Sequence, residues 1–135
     1  MLSISRELAD QIIAYCKSVL PDEACGVLAG NAEEVATRMF PVKNIENSPV
    51  LYRMDPAEEY QAFALIYESG LDDIGFFHSH PSSEAIPSAT DIREVKIGIV
   101  RMMIVSLEDV SDPDIRLYRI GNGRYEEEEL SVAAK

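Results

Sequence analysis

The sequence has no tryptophan, only two cysteines and only two histidines among its 135 residues. Two cysteines are too few for a disulfide framework, so we expect Cys16 and Cys25 to be free thiols. No apolar run approaches the roughly 20 residues of a membrane span. Residues 1–7 lack the charged and apolar regions of a signal peptide. We therefore expect a cytoplasmic protein with no membrane partner.

Basic residues are also scarce, since 12 Lys and Arg stand against 24 Asp and Glu, for a formal net charge of −12. Nucleic-acid binding depends on neutralising phosphates, so this charge argues against DNA or RNA as a partner. It favours a neutral or basic protein partner instead. Apolar residues make up 47% of the chain, which indicates a globular protein. The length predicts one domain, residues 1–135.

Helical and strand patterns are interspersed, which predicts an α/β (α+β) fold with helices packed on a mixed sheet. Helices are expected to begin after Ser5, Asp55 and Ser88, where capping residues occur. Strands are expected over residues 24–29, 34–40, 49–54, 74–80, 100–107, 115–120 and 125–130.

Three finer expectations concern burial. The second helix is expected to bury a stripe formed by Tyr60, Phe63, Ala64 and Tyr67. The acidic run 126–129 is expected to be solvated, and residues 132–135 are expected to fray.

Both histidines fall in one stretch, residues 76–91. On a strand, His78 and His80 point to the same face, and Pro81 ends the strand. Ser88 begins a helix, and a loop of residues 81–86 lets its first turn fold back toward the strand. Asp91 lies in that turn. Two imidazoles and one carboxylate would leave an open position on a four-coordinate ion, as in a catalytic zinc site.

Other interpretations of these residues remain open. The Ser88-x-x-Asp91 pattern is also that of a capping box, and Glu84 in the loop is an alternative ligand. Two histidines and a carboxylate also hold non-haem iron in oxygenases. Deamination on a related zinc fold would need a Pro-Cys-x-x-Cys segment, which the sequence lacks. A Cys–His protease would need a free imidazole near Cys25.

The pattern His78-x-His80-Pro81-x6-Ser88-x-x-Asp91 resembles the JAMM motif of the MPN+ metallopeptidases. The segment Glu23-x-Cys25-Gly26 is similar to the family's Glu-x-Cys-Gly pattern. The resemblance implies a single MPN/JAB domain with a curved sheet flanked by helices, like the cytidine-deaminase fold. It implies one Zn²⁺ held by His78, His80 and Asp91.

In that family the residues matching Glu23 and Ser88 are catalytic. Glu23 would be the general base and later the acid, and Ser88 would donate to the oxyanion. The lack of long insertions makes the chain similar to compact prokaryotic members. These cut after the C-terminal Gly-Gly of ubiquitin-like sulfur-carrier proteins, whose tail can add beside a strand edge. The alternative within the family is a metal-binding scaffold without catalysis.

Overall fold

One mixed sheet of eight strands organises residues 1–134, which are the residues described by the computed structural model. In chain order the strands are β1 (Leu2–Ile4), β2 (Cys25–Gly30), β3 (Val35–Val42), β4 (Asp72–His80), β5 (Ile99–Ser106), β6 (Asp114–Gly121), β7 (Arg124–Glu128) and β8 (Leu130–Val132). Across the sheet their order is β7-β6-β5-β4-β2-β3-β1-β8. This confirms the predicted mixed sheet.

Three helices accompany the sheet: α1 (Arg6–Ser18), α2 (Pro56–Glu68) and α3 (Ala89–Glu94). Ser5 caps α1, because its side chain accepts a hydrogen bond from the Leu8 amide at 3.1 Å. Among residues 1–134, no helix has the length and apolar character needed to cross a membrane.

Strand β4 lies in the middle of the sheet, antiparallel to β2 and parallel to β5. Its successive side chains alternate between the two faces. Phe77 packs into the larger core, which includes Leu8, Ile12 and Cys16 of α1. Phe76 packs on the opposite face, where α2 and the segments around α3 cover the sheet. His78 and His80 therefore point to the face that α1 does not cover.

The sheet is curled so strongly that its two edge strands are neighbours along the chain. Only Glu129 separates β7 from β8, and its carbonyl oxygen accepts a hydrogen bond from Leu2 of β1 at 3.1 Å. The Glu128 carboxylate forms ion pairs with Arg101 of β5 at 2.8 Å and with the amino group of Met1 at 3.3 Å. The mixed α+β domain is therefore built on a curved, nearly closed sheet.

The acidic C-terminal region confirms one prediction and contradicts two. Glu126, Glu127 and Glu129 are exposed to solvent, as predicted for the run 126–129, although Glu126–Glu128 pair with β6 and Glu128 is held by Arg101. Residues 125–130 do not form one strand, since the chain leaves β7 at Glu129 and pairs with β1 as β8. Val132 and Ala133 are also paired, with the Ala133 amide bonded to Ile4. Lys135 lies outside the described residues.

Two other expectations are also wrong. Residues 49–54 form no strand; Met54 makes one isolated bridge with Asn44. Hydrogen bonds between the Asn44 side chain and the backbone of Leu51 and Arg53 hold this segment, whereas a strand would be held by a ladder of backbone hydrogen bonds. Helix α2 packs through Ala62 and Ile66, while Tyr60 and Tyr67 are exposed. Only Phe63 of the three aromatic residues in the predicted stripe packs toward the sheet, where its ring meets that of Phe76 at a centroid separation of 6.3 Å.

Candidate metal centre

The end of β4 brings the two histidine side chains together. His78 and His80 are both buried, and their Nε2 atoms lie 3.2 Å apart. The strand is held on both sides at this point, since His78 pairs with Cys25 of β2 and with Ile104 of β5. The predicted placement of both imidazoles on one face is confirmed.

Helix α3 supplies the third side chain through its first turn. Ser88 is the N-cap, and its Oγ accepts from the Asp91 amide at 3.0 Å. In return the Ser88 amide donates to Asp91 Oδ2 at 2.9 Å. The same Oδ2 lies 3.1 Å from His78 Nε2 and 3.0 Å from His80 Nε2. The capping box and the His–His–Asp cluster are therefore one structure, and the two interpretations of the motif are compatible.

The outer ring nitrogens of both histidines are occupied by other groups. His80 Nδ1 lies 2.8 Å from the carbonyl oxygen of Glu84, so this nitrogen carries hydrogen and donates. His78 Nδ1 lies 3.1 Å from the sulfur of Met102. In the neutral rings, these contacts leave the Nε2 lone pairs directed at Asp91 Oδ2. Three acceptor atoms then converge within 4.8 Å of one another, which is the arrangement of a metal-ligand set.

The electrostatics of the cluster also favour a positive charge at its centre. Burial lowers the pKa of His78, which keeps this imidazole neutral. Burial also opposes the charged form of His80, but hydrogen bonds with Asp91 and the Glu84 carbonyl outweigh it and raise its pKa. For Asp91, burial is likewise outweighed, by its contacts with the two imidazoles and by the hydrogen bond from the Ser88 amide, which hold its pKa well below the usual range. The site thus takes a cation, either a proton or a metal ion.

Glu84 does not act as a ligand through its carboxylate. Its side chain is exposed, whereas its carbonyl oxygen orients His80. The alternative in which Glu84 replaces Asp91 is therefore wrong for this geometry.

Glu23 lies beside the cluster as a buried carboxylate. Its side chain is 4% exposed, and its Oε1 has no hydrogen-bond partner among residues 1–134. Burial raises its pKa to about 8, with His80 lowering and Asp91 raising it by smaller amounts. A buried, unpaired carboxylate is costly for a fold, so its retention here points to chemistry.

The backbone around Glu23 is fixed on three sides. Its amide donates to the carbonyl oxygen of Ser48 at 2.8 Å, and the next amide, of Ala24, donates to Ser79 Oγ at 2.8 Å. Asn44 Nδ2 donates to the Glu23 carbonyl oxygen at 3.0 Å. Ser79 lies between the two histidines, so the carboxylate and the imidazoles are positioned by one connected set of bonds.

Sequence reasoning missed two residues of this site. Asn44 is buried, and its side chain also bonds to Leu51 and Arg53, which flank Tyr52. The Tyr52 ring stacks on His78 with a centroid separation of 4.7 Å and an angle of 27°. Tyr52 lies in residues 49–54, for which the sequence predicts a strand, and both roles depend on contacts with residues distant along the chain, so the sequence carries no local signal for either.

Cys25 is unsuited to nucleophilic catalysis. It is fully buried, and its thiol donates to the carbonyl oxygen of Val42 at 3.3 Å. Burial raises the pKa of this thiol to about 12, so the reactive thiolate is absent near neutral pH. Cys16 is likewise buried, with a pKa raised to about 12 by burial. Both cysteines are free thiols, as expected, and the burial of Cys25 argues against the Cys–His protease interpretation.

A groove of about 520 Å³ opens next to the histidines. Tyr52 and Met102, which contact His78 from two sides, are among its lining residues. Its walls come from residues 52–54, from the start of β5 and from the segment after α3.

Residues 5–121 match the family described as prokaryotic homologs of the JAB domain. The chain belongs to this family, which confirms the class inferred from the motif.

Two relatives and one solved structure support this family membership. The chain is 33% identical over 133 residues to the CysO-cysteine peptidase of Mycobacterium tuberculosis, covering 98% of this chain and 91% of that protein. It is 38% identical over 96 residues to the desampylase of Haloferax volcanii, covering 67% and 69%. The solution structure of a protein from Desulfitobacterium hafniense, 30% identical, superposes with a TM-score of 0.92 over 100% of this chain and 94% of the other.

Proposed function

We propose that this protein is a zinc-dependent peptidase that hydrolyses the bond after the C-terminal Gly-Gly of a ubiquitin-like protein of the sulfur-carrier type. The observation that carries the proposal is a buried, unpartnered Glu23 carboxylate beside three converging ligand atoms. The relatives support the choice of substrate, since one is named a CysO-cysteine peptidase and another a desampylase.

The donor set of His78, His80 and Asp91 fits zinc. Two imidazole nitrogens and one carboxylate oxygen are ligands that Zn²⁺ takes in catalytic sites, where a further position stays open. The contacts of His80 with Glu84 and of Asp91 with Ser88 orient these ligands from behind. When bound, zinc supplies a Lewis acid that lowers the pKa of water and polarises a carbonyl oxygen.

Glu23 acts as the general base and then as the general acid. With a metal bound, both histidines would be occupied as ligands, so neither could accept a proton during the reaction. A carboxylate with a pKa raised to about 8 holds and releases a proton near neutral pH. In this mechanism Glu23 takes the proton from the attacking water and delivers it to the leaving amine.

Ser88 donates to the oxyanion that forms on the scissile carbonyl. Its Oγ accepts from the Asp91 amide, and this contact leaves the hydroxyl hydrogen available to a second partner. One hydroxyl can therefore cap α3 and stabilise developing negative charge. The exposure of Ser88 places this hydroxyl where a substrate can reach it.

The substrate tail lies in the groove beside His78. The two edges of the sheet are β7 and β8, and β4 is paired on both sides, so a tail cannot extend the sheet next to the histidines. We therefore propose that the tail lies across the face of the sheet, in place of the strand addition that the family resemblance led us to expect. Glycines near the cleaved bond suit this placement, because they let the backbone pass close to Tyr52 and Met102, which line the groove.

The test uses a ubiquitin-like sulfur carrier extended beyond its Gly-Gly by one cysteine or by a short peptide. The fusion is incubated with the zinc-loaded enzyme and followed by intact mass. We expect a single cut after Gly-Gly, which releases the cysteine or the short peptide. The Glu23→Gln variant should not cleave the fusion. Equal cleavage of short unfolded peptides would contradict the assignment and indicate a general zinc peptidase. Ubiquitin chains serve as the comparison, for which we expect little cleavage.

A further inference from the structure

Three successive carbonyl groups of the loop between β4 and α3 accept hydrogen bonds from side chains of three different strands. The donors and their carbonyl partners are Ser106 Oγ with Ser83 at 2.6 Å, His80 Nδ1 with Glu84 at 2.8 Å, and Tyr118 Oη with Ala85. The bond that orients His80 therefore lies between two bonds that come from hydroxyl groups of β5 and β6. Both hydroxyls must donate, because a carbonyl oxygen can only accept.

Packing holds this loop at one residue only. Among residues 82–86, Ala85 is buried and the other four are exposed. A surface hollow of about 240 Å³ borders the loop and is lined in part by Glu84, Ile86 and Ser106. Exposed loop backbone with few apolar contacts is ordinarily mobile. The hydrogen bonds to its carbonyl groups are therefore what fixes the shape of this loop.

The two hydroxyl donors are themselves fixed by the sheet. Ser106 is paired with His80 across β4 and β5, and Tyr118 is paired with Met102 across β5 and β6. Both side chains are buried. The ladders that place the histidines therefore also place the two hydroxyls, and the loop takes its position from the sheet through them.

We propose that Tyr118 and Ser106 are positioning residues of the metal centre. They hold the Glu84 carbonyl oxygen against His80 Nδ1, which keeps hydrogen on Nδ1 and leaves the Nε2 lone pair for a metal ion. This inference rests on the proposed function, because it concerns the site that would hold zinc. Loss of a group that orients a metal-ligating histidine typically lowers metal affinity by about 10- to 100-fold.

Tyr118→Phe is the principal test, because it removes one oxygen atom and keeps the buried ring. Zinc affinity is measured on metal-free protein with the metal alone, by competition with a chromophoric chelator. We expect Tyr118→Phe to bind zinc roughly tenfold more weakly than the native chain, and Ser106→Ala to show a similar loss. The double substitution should weaken zinc binding further. Circular dichroism of each variant should match that of the native chain.

Matched controls remove hydroxyl groups that do not contact the loop. The ring of Tyr125 packs edge-on against that of Tyr118 at a centroid separation of 5.6 Å, so Tyr125→Phe alters the same neighbourhood. The Ser111 hydroxyl donates to Asp109 at 2.6 Å, so Ser111→Ala removes a serine hydrogen bond elsewhere. Neither control should change zinc affinity by more than about twofold, which is a small fraction of the loss expected for the loop hydroxyls.

A second measurement separates orientation of His80 from a general effect on packing. The chain has only two histidines, so NMR of the zinc-loaded protein follows two imidazole Nδ1–H groups. In Tyr118→Phe the Nδ1–H signal of His80 should shift and exchange faster with water. The signal of His78, whose Nδ1 faces the Met102 sulfur, should stay as in the native chain.

The outcomes distinguish this inference from the proposed function. Native zinc affinity in both Tyr118→Phe and Ser106→Ala, an equal loss in Tyr125→Phe, or an equal change at His78 would overturn the positioning role alone. The expected losses of zinc, together with no cleavage of the carrier fusion by the native enzyme, would overturn the proposed function alone. A native chain that binds no zinc would overturn both.

Discussion

The side-chain amide of Asn44 donates to the carbonyl oxygen of Glu23 at 3.0 Å, and the same nitrogen donates to Leu51 at 3.0 Å. Its oxygen accepts from the amides of Glu46 and Arg53. One buried side chain thus joins the carboxylate segment to the loop whose Tyr52 stacks on His78. The positions of Glu23 and of Tyr52 therefore both depend on the side-chain amide of Asn44.

We expect Asn44→Asp to reduce kcat strongly while zinc remains bound. The carboxylate keeps the acceptor atoms but loses both donors, so the carbonyls of Glu23 and Leu51 lose a partner. Each unsatisfied buried group costs about 1–3 kcal/mol, and part of that loss will appear as misplacement of Glu23. Steady-state kinetics with the carrier–cysteine fusion and zinc analysis are the measurements. Wild-type kcat in this variant would show that Asn44 has no positioning role.

We expect one zinc ion per chain after purification without added metal. His80→Ala should abolish both zinc binding and activity, because it removes one of three ligand atoms. Glu84→Gln is the matched control, since its side chain is exposed and only its backbone contacts His80. This control should retain zinc. Elemental analysis is the measurement, and stoichiometric iron, or no metal after reconstitution with zinc, would rule out the zinc assignment.

Glu23→Gln is expected to retain zinc and to lose turnover by about 100- to 10,000-fold, the usual range for loss of a general base. The substitution keeps the shape of the side chain and removes only its ability to take a proton. Asp22→Asn, at the neighbouring carboxylate, should leave turnover close to that of the native protein. Loss of zinc in Glu23→Gln would make Glu23 a ligand, and full activity would place the base elsewhere.

The raised pKa of Glu23 also predicts how stability depends on pH in metal-free protein. Burial raises this pKa from 4.5 to about 8, so the folded state holds a proton between these values that the unfolded state releases. The free energy of unfolding therefore falls as pH rises through this window. The stability that comes from protonated Glu23 is fully present only below about pH 4.5. Glu23→Gln should lack this fall.

Urea unfolding at pH 5, 6, 7 and 8 in the presence of a chelator measures the effect. The stability of Glu23→Gln relative to the native chain should increase steadily from pH 5 to pH 8. Glu33→Gln, at an exposed carboxylate, should show no such trend relative to the native chain. Parallel curves for the native chain and Glu23→Gln would mean that Glu23 is ionised in the folded state throughout.

The parts of the site that the sequence predicts are those encoded by short spacings. His78 and His80 share a face because a strand repeats every two residues, and Asp91 is placed by a capping motif of four residues. The same local rules predict the start of α1 at Ser5. Each of these features is fixed by neighbours along the chain, so no tertiary information is required.

The features that sequence reasoning missed depend on distant contacts. Asn44 and Tyr52 lie in an irregular segment whose shape is set by side-chain bonds to residues elsewhere. Strand β1 exists because β3 and β8 pair with it, and three residues carry no periodicity of their own. In α2 the pattern offers two apolar faces, and only the packed sheet decides that Ala62 and Ile66 are buried.

The curled sheet has a further consequence, for association between molecules. Open β-sheets expose unpaired backbone groups along their edge strands, which can recruit other chains and lead to aggregates. Here one edge runs into the other through Glu129, and the edge strand β7 carries a row of glutamates. Like charges on an edge repel a second copy that approaches it. The architecture that displays the histidines on a central strand therefore also discourages the growth of intermolecular sheets.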